Sequence, residues 1–93
     1  MHAATVTDVA ALIVAAGNRD FVHIRNNHDT ESIWVKYDGS ATALTSTNGL
    51  PIVAGGLLLL ENAGARNIHR NPIYAIADTG KSVNIRIQGA AEP

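Results

Sequence analysis

Apolar and polar side chains alternate with a period of two along most of this chain, the rhythm of strands that bury one face. In Phe21-Val22-His23-Ile24-Arg25-Asn26, Val22 and Ile24 share one face while Phe21, His23 and Arg25 share the other. Ser32-Ile33-Trp34-Val35-Lys36-Tyr37 repeats the pattern, with Ile33, Val35 and Tyr37 set against Trp34 and Lys36, and Asp38-Gly39 follows as a turn. The polar connection Asn26-Asn27-His28-Asp29-Thr30 predicts that these two strands form a hairpin. In Leu57-Leu58-Leu59-Leu60-Glu61 the leucines fall on both faces, which predicts cover on both sides, from a second layer or a neighbouring subunit. Ile73-Tyr74-Ala75-Ile76-Ala77 and Val83-Asn84-Ile85-Arg86-Ile87-Gln88 read as the last two strands, with Val83, Ile85 and Ile87 inward and a hairpin turn at 78–81.

The segments between are less periodic. Residues 40–49 are small and hydroxylated and read as a loop or edge segment, Gly55-Gly56 as a turn, and 62–71 as a polar link. Residues 8–16, followed by Gly17, read either as a short capped helix or as part of two strands. The β-branched Thr5, Val6, Thr7, Ile13 and Val14 favour strands. Six to eight short strands divided by turns predict an all-β fold, a small antiparallel β-sandwich or jelly-roll-like barrel. Residues 1–8 read as an N-terminal arm and 9–93 as a single domain.

Composition sharpens this picture. A domain of 93 residues is marginally stable by itself, and with no cysteine it has no disulfides to support it, so homo-oligomerisation is expected. The formal net charge of -1 includes no basic stripe, and neither nucleic acid nor an anionic membrane is expected as a partner. The four consecutive leucines are too few to span a bilayer, and no Lys or Arg precedes the apolar stretch at 9–16 as in a signal peptide, while Asp8 sits at its edge.

Four features of the sequence bear on chemistry. Gly80-Lys81-Ser82 ends like a phosphate-binding loop, but Ala75 stands where the motif needs its first glycine, and a strand follows where it needs a helix. His2, His23, His28 and His69 share no metal-ligand spacing, and the nearest grouping is His23, His28 and Asp29. Among Asp29, Glu31, Asp38, Glu61 and Asp78 nothing separates an acid from a base, and Ser32, Ser40, Ser46 and Ser82 lack the flanking glycines of a nucleophile elbow. The expectation is therefore a protein that is not an enzyme and uses no metal or cofactor. Trp34 points away from Ile33 and Val35; it either caps the second face of its sheet or anchors a protein interface, and Leu57 and Leu59 pose the same choice.

The succession Arg19-Asp20-Phe21-Val22-His23-Ile24-Arg25-Asn26, then residues 32–41, then Leu50-Pro51-Ile52-Val53-Ala54-Gly55-Gly56, then Ile73-Tyr74-Ala75-Ile76-Ala77 and Val83-Asn84-Ile85-Arg86-Ile87 resembles small structural proteins of tailed bacteriophages. In those proteins an arginine precedes a strand ending in Asn, a second strand ends in a Gly-rich turn, a Gly-Gly bend follows, and a strand pair closes the fold. The resemblance covers roughly residues 5–88. It implies a capsid decoration or cement protein that self-associates and clamps the major capsid protein on the virion surface, after assembly in the bacterial cytoplasm. It also implies, as an alternative, a fibre or tail-associated module recognising a glycan or protein receptor, with Trp34 and Tyr74 stacking on the ligand. The candidate interface comprises Thr5 and Val6 of the arm together with Trp34, Leu57 and Leu59.

Overall fold

The computed structural model describes residues 2–17, 19–37, 43–45, 48–61 and 71–91. Regular structure among them is all strand: β1 (His2–Val6), β2 (Ala11–Val14), β3 (Arg19–Asn26), β4 (Ile33–Lys36), β5 (Leu50–Ile52), β6 (Leu57–Glu61), β7 (Ile73–Ala77) and β8 (Val83–Ala91). They form two four-stranded antiparallel sheets, ordered β1-β8-β3-β6 and β2-β7-β4-β5.

The pairings are nested. β4 pairs with β5, β3 with β6, β2 with β7 and β1 with β8, as if the chain were doubled at its middle into one long hairpin. The β3·β8 and β4·β7 pairings then roll that hairpin into two layers. Alternation places Val22, Ile24, Val83, Ile85 and Ile87 on the inner face of the first sheet and Ile33, Val35, Ile73, Ala75 and Ala77 on that of the second, where they merge into one core. This is a β-sandwich. No ladder joins one sheet to the other among the described residues, so of the two alternatives read from the sequence, sandwich or jelly-roll-like barrel, the barrel closure is not formed.

Two further expectations are corrected. β3 and β4 lie in different sheets, so 27–32 is a crossover and not a hairpin loop; the same holds for β7 and β8 across 78–82. The cause at the first crossover is Asn26, fully buried, whose side-chain amide donates to the carbonyls of Glu31 (2.8 Å) and Ile52 (3.0 Å) and whose Oδ1 accepts from the His28 N–H (2.9 Å). These bonds turn the chain from one layer to the other. At the second crossover Gly80 takes φ +76° and donates its N–H to Asp8 (2.9 Å), in a turn closed by Lys81 N–H to Asp78 C=O (2.9 Å). Residues 2–6 lie within the stretch read as an N-terminal arm. They are the edge strand β1, paired with β8 from His2 opposite Ile87 to Val6 opposite Val83.

Residues 11–14 are strand and not helix. Most of the loop expected at 40–49 and of the link expected at 62–71 lies outside the described residues.

Candidate self-association surface

Because β3, β6 and β8 give their most apolar phase to the core, their other phase forms the outer face of the first sheet. The register sets rows across it: Arg86, Arg25 and Leu57; then Gln88, His23 and Leu59; then Phe21 beside Glu61. Arg25 and Arg86 stand directly opposite each other, and like charges so placed repel. Among the described residues neither guanidinium has a carboxylate partner. With His23, Gln88 and Leu57 they line a depression of about 240 Å³. The His23 ring packs on Phe21 at 4.7 Å between centroids, tilted by 45°.

β6 is an outer strand of this sheet, and its backbone directions follow from one residue. Asn26 donates its N–H to Gly56 C=O and accepts from Gly55 N–H, both at 3.0 Å, so the even-numbered residues of β3 direct their backbone groups at β6. Bonded and non-bonded pairs alternate in an antiparallel ladder. The bonded pairs are therefore Ile24·Leu58 and Val22·Leu60, and the N–H and C=O groups of Leu57, Leu59 and Glu61 point to the open edge. Nothing among the described residues pairs with them.

Sheet edges are commonly blunted by proline, lysine or a bulge. β5 carries Pro51, and the β2 register shifts between Leu12 and Val14. β6 has none of these devices. Leu57 and Leu59 on it are 60% and 46% exposed, and Val53 and Leu50 on the same flank of the sandwich are also exposed. Leu58 contributes there to an apolar hollow of about 180 Å³, shared with Leu50, Val53 and Leu57. The sequence-based expectation that both faces of residues 57–60 are covered holds for the inner face, where Leu60 is buried and Leu58 packs on the core. On the outer face it is not met within the described chain.

The other expected interface residues are dispersed. Thr5 is exposed on the same outer face as Leu57 and Leu59, but on β1 at the opposite edge, with its hydroxyl 3.4 Å from Asn84 Oδ1. Val6 points inward and is 2% exposed, so it belongs to the core and to no surface. Trp34 occupies the outer face of the second sheet, opposite Pro51 and Ile76. It is half-buried, and Gly49 packs so closely that a Cβ there would meet Trp34 Cβ at 2.8 Å. Tyr74 lies on the same face with Lys36 Nζ 5.8 Å from its ring centre.

The remaining polar residues are structural in their geometry. Arg19 donates to the carbonyls of Ala15 and Asn71, both at 2.8 Å, and Asn71 donates to Tyr37 C=O at 3.1 Å, which ties three segments together. Burial lowers the Arg19 pKa from its usual value. His28 Nδ1 accepts from the N–H groups of Thr30 (3.1 Å) and Glu31 (3.0 Å), which fixes its tautomer with any ring proton on Nε2. Lys81 pairs with Glu31 at 3.3 Å. Among the described residues no three His, Cys, Asp or Glu side chains gather as a metal site; His69 and Asp38 lie outside them. The sequence reading missed Asn26, Arg19 and the Arg25–Arg86 pair as organising features. No family model, curated protein or solved structure matches the chain.

Proposed function

We propose that this protein is a structural assembly module of a tailed-phage virion, a decoration protein that self-associates and stabilises the shell of the major capsid protein by non-covalent contacts. The observation that carries this reading is the uncovered flank at β5 and β6, where Leu50, Val53, Leu57 and Leu59 are exposed beside an unblunted sheet edge. A monomer leaves that apolar surface in water, whereas an assembly buries it. The strand order supports the same reading. Nested pairing of eight strands, rolled into sheets 1-8-3-6 and 2-7-4-5, is compatible with a jelly roll lacking closure between its sheets, an architecture used by viral capsid and lectin domains. Fold analogy of this kind bears on the class of protein and not on a site.

The experiment mixes purified protein with empty shells of the major capsid protein from the same phage and follows co-sedimentation. Saturable binding at a fixed ratio to the capsid subunit, with a rise in the shell's melting temperature, is expected. Shells that take up no protein at micromolar concentration overturn the reading.

A receptor-binding module is the second reading, favoured by one observation: Trp34 and Tyr74 share an outer face on adjacent strands, beside Leu12, Ile76 and Pro51. Glycan-array binding that disappears in a folded Trp34→Ala variant would establish it.

A further inference from the structure

We infer that two copies of this chain pair antiparallel through β6, about a twofold axis normal to the sheet, with Leu59 opposite Leu59 and Leu57 opposite Glu61 of the partner subunit. The inference rests on the self-association reading above and not on the identity of the shell.

Three features of one strand lead to it. The backbone groups of Leu57, Leu59 and Glu61 point to the open edge, and they are the groups that bond when β6 meets its own copy in this register. Leu57 and Leu59 face outward on the same side in both copies, so the twofold brings the two Leu59 side chains together and extends one four-stranded sheet into eight strands. Charge selects among the possible registers. Across the junction the first row becomes Arg86, Arg25, Leu57 and then Glu61 of the partner subunit. Bonded pairs stand about 5.5 Å apart and non-bonded pairs about 4.5 Å, so Arg25 and the partner's Glu61 have backbones about 10 Å apart, a gap that their two long side chains span. Each copy thus supplies the carboxylate that the other copy's arginine pair lacks.

Neighbouring registers lose one or another of these features; pairing Leu59 with the partner's Glu61, for example, moves that carboxylate from the Arg25 row to the His23 row. A slip of one residue turns the outward leucines of one copy against the inward phase of the other. Sliding by two residues, Leu57 opposite Leu59, keeps the bonding phase but carries Glu61 past the start of the partner strand, away from Arg25.

The absence of cysteine makes the test direct, since a single introduced thiol reports one position. Oxidised Leu59→Cys protein is expected to run as a covalent dimer on non-reducing gels, because paired Cα atoms about 5.5 Å apart are within disulfide range. Thr5→Cys, on the far edge strand, is expected to stay monomeric on the gel. In sedimentation equilibrium, Glu61→Arg and Arg25→Glu should each weaken the dimer about tenfold or more, and the double exchange should restore it. Circular dichroism confirms that each variant is folded. A wild-type protein that is monomeric up to millimolar concentration overturns the inference, as does a dimer in which Leu59→Cys fails to cross-link or the double exchange gives no rescue. Failure of the shell reading is distinguishable: a dimer that ignores capsid shells leaves this pairing intact, and a monomer that saturates them removes the pairing only.

Discussion

Asn26 uses every polar atom it has. Its backbone bonds to the Gly55-Gly56 turn, its amide nitrogen to two carbonyls of different segments, and its Oδ1 to the next loop, all in a fully buried position. Removing the side chain takes away the bonds it makes to two carbonyls and an N–H, so Asn26→Ala should lower stability by about 3 kcal/mol, read from the urea midpoint. Asn26→Asp should cost more, since it buries a carboxylate against those same two carbonyls. His28 performs a smaller version of the task with one ring nitrogen, accepting from residues two and three ahead as an Asn or Asp side chain does in a turn. His28→Asp should therefore keep near-native stability, while His28→Ala loses about 1 kcal/mol in the same assay. Neither role was legible in the sequence. Asn26 stood at the head of a run of turn-forming residues, where a solvated side chain is the ordinary reading, and only its burial between two layers gives its side chain three partners.

At the scale of strands, side-chain rhythm told which residues face inward and could not tell which strands are neighbours. Val22, Ile24, Ile33, Val35, Val83, Ile85 and Ile87 are all buried as their alternation implies. The same alternation suits two strands side by side in one sheet or facing each other across a core, so the links 27–32 and 78–82 read as hairpins and are crossovers. The weak rhythm of residues 2–6, where alanines blur inside and outside, concealed the edge strand β1. The Arg25–Arg86 juxtaposition was hidden for the same reason, because it exists only once β3 and β8 are known to be adjacent. Arg86→Thr should relieve that repulsion and stabilise the isolated subunit by about 0.5 kcal/mol, seen as a higher urea midpoint with an unchanged slope at submicromolar protein concentration. Gly55, at φ +73° in the turn leading into β6, should tolerate substitution poorly: Gly55→Ala is expected to cost about 1 kcal/mol through backbone strain, with open space around it excluding a steric cause.

For the whole molecule, small size and missing disulfides are the reasons to expect support from other copies, and the exposed flank at β5 and β6 is the surface on which the proposed self-association would be tested. If only the folded chain pairs through β6, the melting temperature should rise with protein concentration, by mass action, in scans from micromolar to millimolar. Glu61→Arg should flatten that dependence.

The nested pairing also governs the order in which the first sheet is completed. β1 is the first of the eight strands and its ladder partner β8 the last, and β3 likewise adjoins β8. During synthesis the first sheet therefore stays incomplete until residues 83–91 have been made. A nascent chain stalled before residue 83 holds neither of the ladders that β8 makes, and its β3 and β6 form at most a two-stranded ribbon.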